Sequence, residues 1–137
     1  MPGTPTPNLG LTVPTVGGDV GAWGAELNGN LAIIDGLGKV QVINISSSTP
    51  AVLGISPETI VRATTGGLTI TYTLLPAAQC SGRIWTIKKV DSGLGSVSIV
   101  TADGSLIDGN ASWTIANQFS YVRVMSNGVG YDVLANG

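Results

Sequence analysis

The chain has 137 residues, of which only 10% are charged, with a formal net charge of −2, 20 glycines, 43% hydrophobic residues and no histidine. Ordinary soluble domains carry about 25% charged residues, so this surface offers little electrostatic repulsion and self-association is the expected use of it. The absence of histidine removes the Ser/His/Asp and Cys/His triads, the commonest general base and the usual transition-metal ligand.

Other classes fall on similar grounds. Lys88-Lys89 is the only basic pair, too little to neutralise phosphates, so nucleic acid is not an expected partner. No run approaches the ~18 apolar residues of a membrane span, and the N-terminus lacks the basic and apolar regions of a secretory signal. Synthesis in the cytoplasm and no membrane partner are therefore expected. Cys80 stands alone, so no intrachain disulfide frames the fold. Asn44-Ile45-Ser46 and Asn110-Ala111-Ser112 match the glycosylation pattern by accident of composition.

Residues 1–18 carry Pro2, Pro5, Pro7 and Pro14, which exclude regular helix and favour an extended arm. Within the arm Leu9, Leu11 and Val13 alternate with polar residues ahead of Pro14, a pattern suited to adding a strand to another protein's sheet edge. Leu9, Leu11, Val13 and Pro14 are the candidate anchor.

Residues 19–38 predict a short helix and linker. At about 100° per residue, Val20, Trp23, Leu27, Leu31 and Ile34 fall within an arc of roughly 80°, a narrow apolar stripe. Asp19 can cap its start and Gly36 can end it. A helix this short, holding Gly21, Gly24 and Gly29, is marginal alone in water. It needs a partner surface, and the seven-residue recurrence of Val20, Leu27 and Ile34 admits either the chain's own body or identical helices.

From residue 39 onward the period becomes two. Strands are predicted at Val40–Ser46, Thr59–Thr64, Leu68–Leu75, Ile84–Val90, Ser96–Thr101, Ser120–Ser126 and Val129–Leu134, with a weaker one at Ser112–Ile115. Leu68, Ile70, Tyr72 and Leu74 share the expected core face, opposite three threonines. Gly66-Gly67, Ser92-Gly93, Asp103-Gly104, Asp108-Gly109 and Asn127-Gly128 mark turns. Asn127-Gly128 is read as a two-residue type I′ hairpin, with positive φ at both residues. Short, evenly spaced strands predict a mainly β chain whose body, residues 39–137, is a small antiparallel sandwich or barrel.

Candidate chemistry is sparse. Gly36-Leu37-Gly38-Lys39 lacks the spacing and hydroxyl of a phosphate-binding loop. The oxygen-rich stretch Asp103–Asn110 lacks calcium-loop spacing and reads better as turns. No catalytic residue, metal ligand or cofactor is expected. Trp85, Trp113, Tyr121 and Tyr131 can either fill the core or stack on sugars.

Asn8–Pro14 leading into Asp19, Trp23-Gly24, Leu27–Leu31 and Ile34-Asp35 resembles the N-terminal segment of tailed-bacteriophage tail-fibre and other minor virion proteins. Thr73–Ala78, Gly82-Arg83-Ile84, Ile87-Lys88-Lys89, Val97-Ser98-Ile99, Ile107-Asp108-Gly109, Met125–Gly128 and Tyr131-Asp132-Val133 resemble the β module that follows it there. The resemblance implies a virion structural protein, often trimeric, attached by its N-terminal segment to capsid, neck or tail proteins. It implies a short fibre, a head fibre or decoration protein, or a neck adaptor. A module on the virion that binds carbohydrate at the host surface is the alternative.

Overall fold

Hydrophobic alternation from residue 41 onward builds strands whose inward side chains share one core, and the path between them decides the architecture. The computed structural model describes residues 4–5, 11–13 and 23–137, and the chain divides after Lys39 into two units.

In the first unit β1 (Thr4–Pro5) pairs antiparallel with β2 (Thr12–Val13), Thr4 opposite Val13. Helix α1 (Trp23–Leu37) lies alongside β2. Asp35 in its last turn pairs with Lys39, two residues beyond its end, at 2.5 Å. Both groups are well exposed, so the pair contributes at most about 0.5 kcal/mol. The helix runs one residue past Gly36, the expected stop. Leu9, Pro14, Asp19 and Val20 lie outside the described residues, as do the side chains of Val13 and Trp23.

The second unit winds between two sheets. Its strands are β3 (Gln41–Ile45), β4 (Thr49–Pro50), β5 (Glu58–Ala63), β6 (Ile70–Leu74), β7 (Ile84–Lys89), β8 (Val97–Thr101), β9 (Trp113–Ile115), β10 (Tyr121–Ser126) and β11 (Tyr131–Asn136). One sheet has the order β11-β10-β7-β5-β3 and the other β4-β6-β8-β9. Every connection from β3 to β8 crosses to the other sheet, as does that from β9 to β10; β8 and β9, like β10 and β11, follow one another as antiparallel neighbours within one sheet.

That path corrects the expected antiparallel sandwich or barrel. A chain that visits the sheets alternately returns to each in the same direction, so β3, β5 and β7 pair in parallel, as do β4, β6 and β8. Parallel strands need a crossover, and here the opposite sheet supplies it, in the manner of a β-solenoid. Within this unit antiparallel pairing is confined to the β8–β9, β7–β10 and β10–β11 ladders. Both sheets are mixed and neither closes into a barrel.

The parallel register stacks inward side chains in rows. Ile43, Val61, Ile87 and Val122 form one row, and Ile70, Val97 and Ile115 another. Most are fully buried, each contributing about 1.5–3 kcal/mol by leaving water. Trp85 meets Tyr131 edge to face, centroids 6.0 Å apart and planes at 64°. Ile45, Ala63 and Lys89 make a third row, so a lysine occupies an inward position and is completely buried. On the outer face Arg123 clamps Glu58 with two bonds of 3.1 Å, and the Thr86 hydroxyl donates to the same carboxylate.

Two local expectations change. Ile70, Tyr72 and Leu74 are buried as expected, but Leu68 is 73% exposed and precedes the strand. Gly66 and Gly67 both have positive φ, and Leu68 belongs to the turn they build. Its carbonyl would lie 2.0 Å from a Cβ on Gly95, so the close approach of the two loops requires glycine there.

The hairpin at Asn127-Gly128 turns about Gly128 and Val129 instead, with positive φ at Gly128 but not at Asn127. The Asn127 N–H donates to the Gly130 carbonyl, while its side-chain oxygen accepts from the N–H groups of Val129 and Gly130. A tight turn with positive φ at both central residues does occur at Asp108 (φ 44°) and Gly109 (φ 78°), closed by reciprocal bonds between Ile107 and Asn110.

Candidate functional site

The two sheets end differently, and the difference leaves a groove. Beyond β8 the smaller sheet adds only β9, whereas beyond β7 the larger adds β10 and β11. The inward row Tyr72, Ile99, Trp113 therefore ends on a tryptophan with no further strand over it. Tyr72 and Ile99 are fully buried, and Trp113 is half-buried against the core.

Across the step stand the start of β10 and the end of β11, locked together by reciprocal bonds of 2.7 and 3.1 Å between Tyr121 and Gly137. The connecting loop 116–120 is pinned to the end of β7 by Phe119 N–H donating to the Lys89 carbonyl at 2.7 Å and Lys89 N–H to the Ser120 carbonyl at 3.1 Å. Phe119 pays for this path with a φ of 65°, a region few side chains adopt, and the Lys88 ammonium lies 5.5 Å from its ring centroid.

The resulting groove has a volume of about 300 Å³, at the lower end of ligand-pocket sizes. Its polar lining comes from Thr114, Asn117, Ser120 and Asn136, with the rings of Trp113 and Tyr121 beside them, and no charged side chain contributes. None of these side chains spends a hydrogen bond on another described residue. The groove therefore presents two aromatic surfaces and a set of uncommitted neutral donors and acceptors.

A second groove of about 390 Å³ lies between loop 104–109 and the β10–β11 hairpin. Its polar groups are occupied with one another. Asn127 donates to Asp132 at 2.8 Å, Asp108 accepts from the Val133 N–H at 3.1 Å, and the Ser105 hydroxyl donates to Asp103 at 2.7 Å. The Ser105 hydroxyl is the main reason the Asp103 carboxyl lies below the ordinary carboxylate range. The oxygen-rich stretch 103–110 thus builds turns. No group of three His, Cys, Asp or Glu side chains placed to hold a metal occurs among the described residues.

The structure sorts the candidate aromatics into two pairs. Trp85 and Tyr131 are core, 2% and 1% exposed; Trp113 and Tyr121 line the open groove. Asn117, Ser120 and Asn136 were not singled out from sequence, because amides and hydroxyls at strand ends read as ordinary turn residues. On α1 the stripe residues Leu27, Leu31 and Ile34 are 46%, 53% and 50% exposed, and Leu11 is half-buried. No helix among the described residues is long and apolar enough to cross a membrane. No protein-family model, curated protein or solved structure matches the chain.

Proposed function

We propose that this chain is a bacteriophage virion structural protein that assembles as a homotrimer, a short fibre or decoration protein held on capsid, neck or tail proteins by residues 1–18. The observation that carries self-association is the stripe of Leu27, Leu31 and Ile34, each about half exposed on a marginal glycine-containing helix. Such a helix gains most of its stability from burying its apolar face. Val40 and Val42, at the start of the β unit, are also about half exposed, and with 10% charge the chain has few groups to oppose association. The virion assignment rests on the resemblance of the arm, helix and β module to minor virion proteins.

Sedimentation equilibrium tests the assembly. The expected species has three times the 13.8 kDa chain mass, and Leu31→Glu is expected to dissociate it. A wild-type monomer at every concentration overturns the reading. Deletion of residues 2–16 is expected to leave an oligomer that no longer incorporates into particles; incorporation at full copy number would rule out the arm as anchor.

A further inference from the structure

We infer that the groove between β9 and the paired ends of β10 and β11 is a binding site for an uncharged saccharide. The inference stands apart from the assembly reading, since a monomer would contain every residue of the groove. Trp113 offers apolar surface at the mouth of the core, where the C–H face of a sugar ring can stack, and Tyr121 lies beside it in the lining. Around them Asn117 and Asn136 each present an amide with both a donor and an acceptor, the combination that pairs with adjacent hydroxyls on a ring. Thr114 and Ser120 add hydroxyls that can do either.

The hydrogen-bonding state separates this groove from the other one. At loop 104–109 the polar groups already satisfy each other and build turns, whereas here they are uncommitted. A site that hydrogen-bonds a ligand needs groups whose partners are still to come. The lack of any lysine, arginine, aspartate or glutamate in the lining selects against phosphorylated, sulfated or sialylated ligands, whose charge would lose water without gaining a counter-charge. A polyhydroxylated, neutral, flat-faced ligand meets all three conditions.

Full-length protein is titrated with chitotriose, maltotriose and cellotriose, with 3′-sialyllactose as the charged comparison, by calorimetry and by the shift of NMR signals. Saturable binding of at least one neutral trisaccharide is expected, with 3′-sialyllactose binding no better. Trp113→Phe keeps an aromatic filler at the edge of the core and is expected to weaken binding about three- to tenfold. Asn117→Ala combined with Asn136→Ala changes two exposed side chains and is expected to weaken it at least as much while leaving the melting temperature unchanged. Absence of binding to every neutral trisaccharide overturns the inference. So does preference for 3′-sialyllactose, or binding that survives both variants.

Discussion

The Lys89 ammonium and the Asp91 carboxylate lie 3.4 Å apart, the lysine side chain 1% exposed and the aspartate 18%. Lys89 ends an inward row behind Ile45 and Ala63, and its three protons find the Asp91 carbonyl at 2.6 Å, the Gly93 carbonyl at 2.7 Å and the Asp91 carboxylate. Asp91 in turn accepts from the N–H groups of Thr65, Gly66 and Gly93 and from the Thr65 hydroxyl. The Asp91 carboxylate, itself paired with Lys89, thus ties the β5–β6 loop to the β7–β8 loop.

The Thr65 N–H, with smaller help from Gly66 and Lys89, holds the Asp91 carboxyl well below the usual carboxylate range. A group whose pKa is lower folded than unfolded contributes stability above the unfolded value, near 3.9, and that contribution fades as pH falls toward the folded value. Asp91→Asn should therefore melt lower than wild type at pH 7, with the gap closing below about pH 4. A gap that stays constant from pH 7 to pH 2 would refute the linkage. Lys89→Met should cost about 1–3 kcal/mol for each carbonyl left without its donor.

Two buried tyrosines should respond oppositely to losing their hydroxyls. Tyr131 donates to the Leu75 carbonyl at 2.7 Å and lies 3.1 Å from the Cys80 sulfur, so Tyr131→Phe should cost about 1–3 kcal/mol. The Tyr72 hydroxyl and the Trp85 indole nitrogen are both buried without a hydrogen-bond partner among the described residues, so Tyr72→Phe should be neutral or stabilising in a denaturant melt.

The same burial sets the alkaline limit of the fold. Desolvation pushes the Tyr72 phenol up to about 12, and it pushes Tyr131 up as well, helped by Cys80. A folded pKa above the unfolded one gives stability that is complete below pH 10 and lost as pH rises toward 12. Tyrosinate absorbance should show a component that rises together with loss of the β circular-dichroism signal. Ionisation of every tyrosine near pH 10 with the fold intact would contradict the burial.

Face assignment on β6 gives a direct contrast. Ile70 is 4% exposed, so Ile70→Asp should cost roughly 3 kcal/mol or more by burying a charge without a partner. Thr71 is half-buried on the opposite face; its backbone N–H donates to the Ser48 hydroxyl, and its side chain makes no hydrogen bond to another described residue. Thr71→Asp should cost about 1 kcal/mol or less. A larger loss for Thr71→Asp in thermal melts would reverse the faces.

Most strand positions were legible because alternation states which side chains face inward. Alternation does not state which strand lies alongside, so Ile70-to-Leu74 reads the same whether its neighbour is parallel Val97–Thr101 or an antiparallel hairpin partner. The crossing from sheet to sheet at each connection between β3 and β8 is a tertiary outcome with no local signature. Lys89 shows the converse: it occupies an inward position by period, yet its charge argues for solvent until the carbonyls of Asp91 and Gly93 are seen to receive it. At the groove, Trp113 was named as an aromatic candidate, but its place at the uncovered end of a core row depends on the unequal extension of the two sheets.

The turn at Asp108-Gly109 should matter more than its length suggests. Asp-Gly suits a two-residue turn because both central residues need positive φ, and here the turn also covers an edge. The Tyr131 N–H donates to the Leu106 carbonyl at 2.9 Å, the Asp108 N–H returns to the Tyr131 carbonyl at 2.9 Å, and the Asp108 carboxylate accepts from the Val133 N–H. The first half of β11, an edge strand, is thereby kept from pairing with other chains. Gly109→Ala meets no atom within 4 Å at its new methyl, but holds φ at 78°, so the cost is conformational and about 1 kcal/mol. Asp108→Ala loses the cap on Val133 as well and should cost more, with faster amide exchange at Tyr131 and Val133 than elsewhere in β11. Protection at those two amides that is unchanged in Asp108→Ala would show that the edge is covered by something other than this turn.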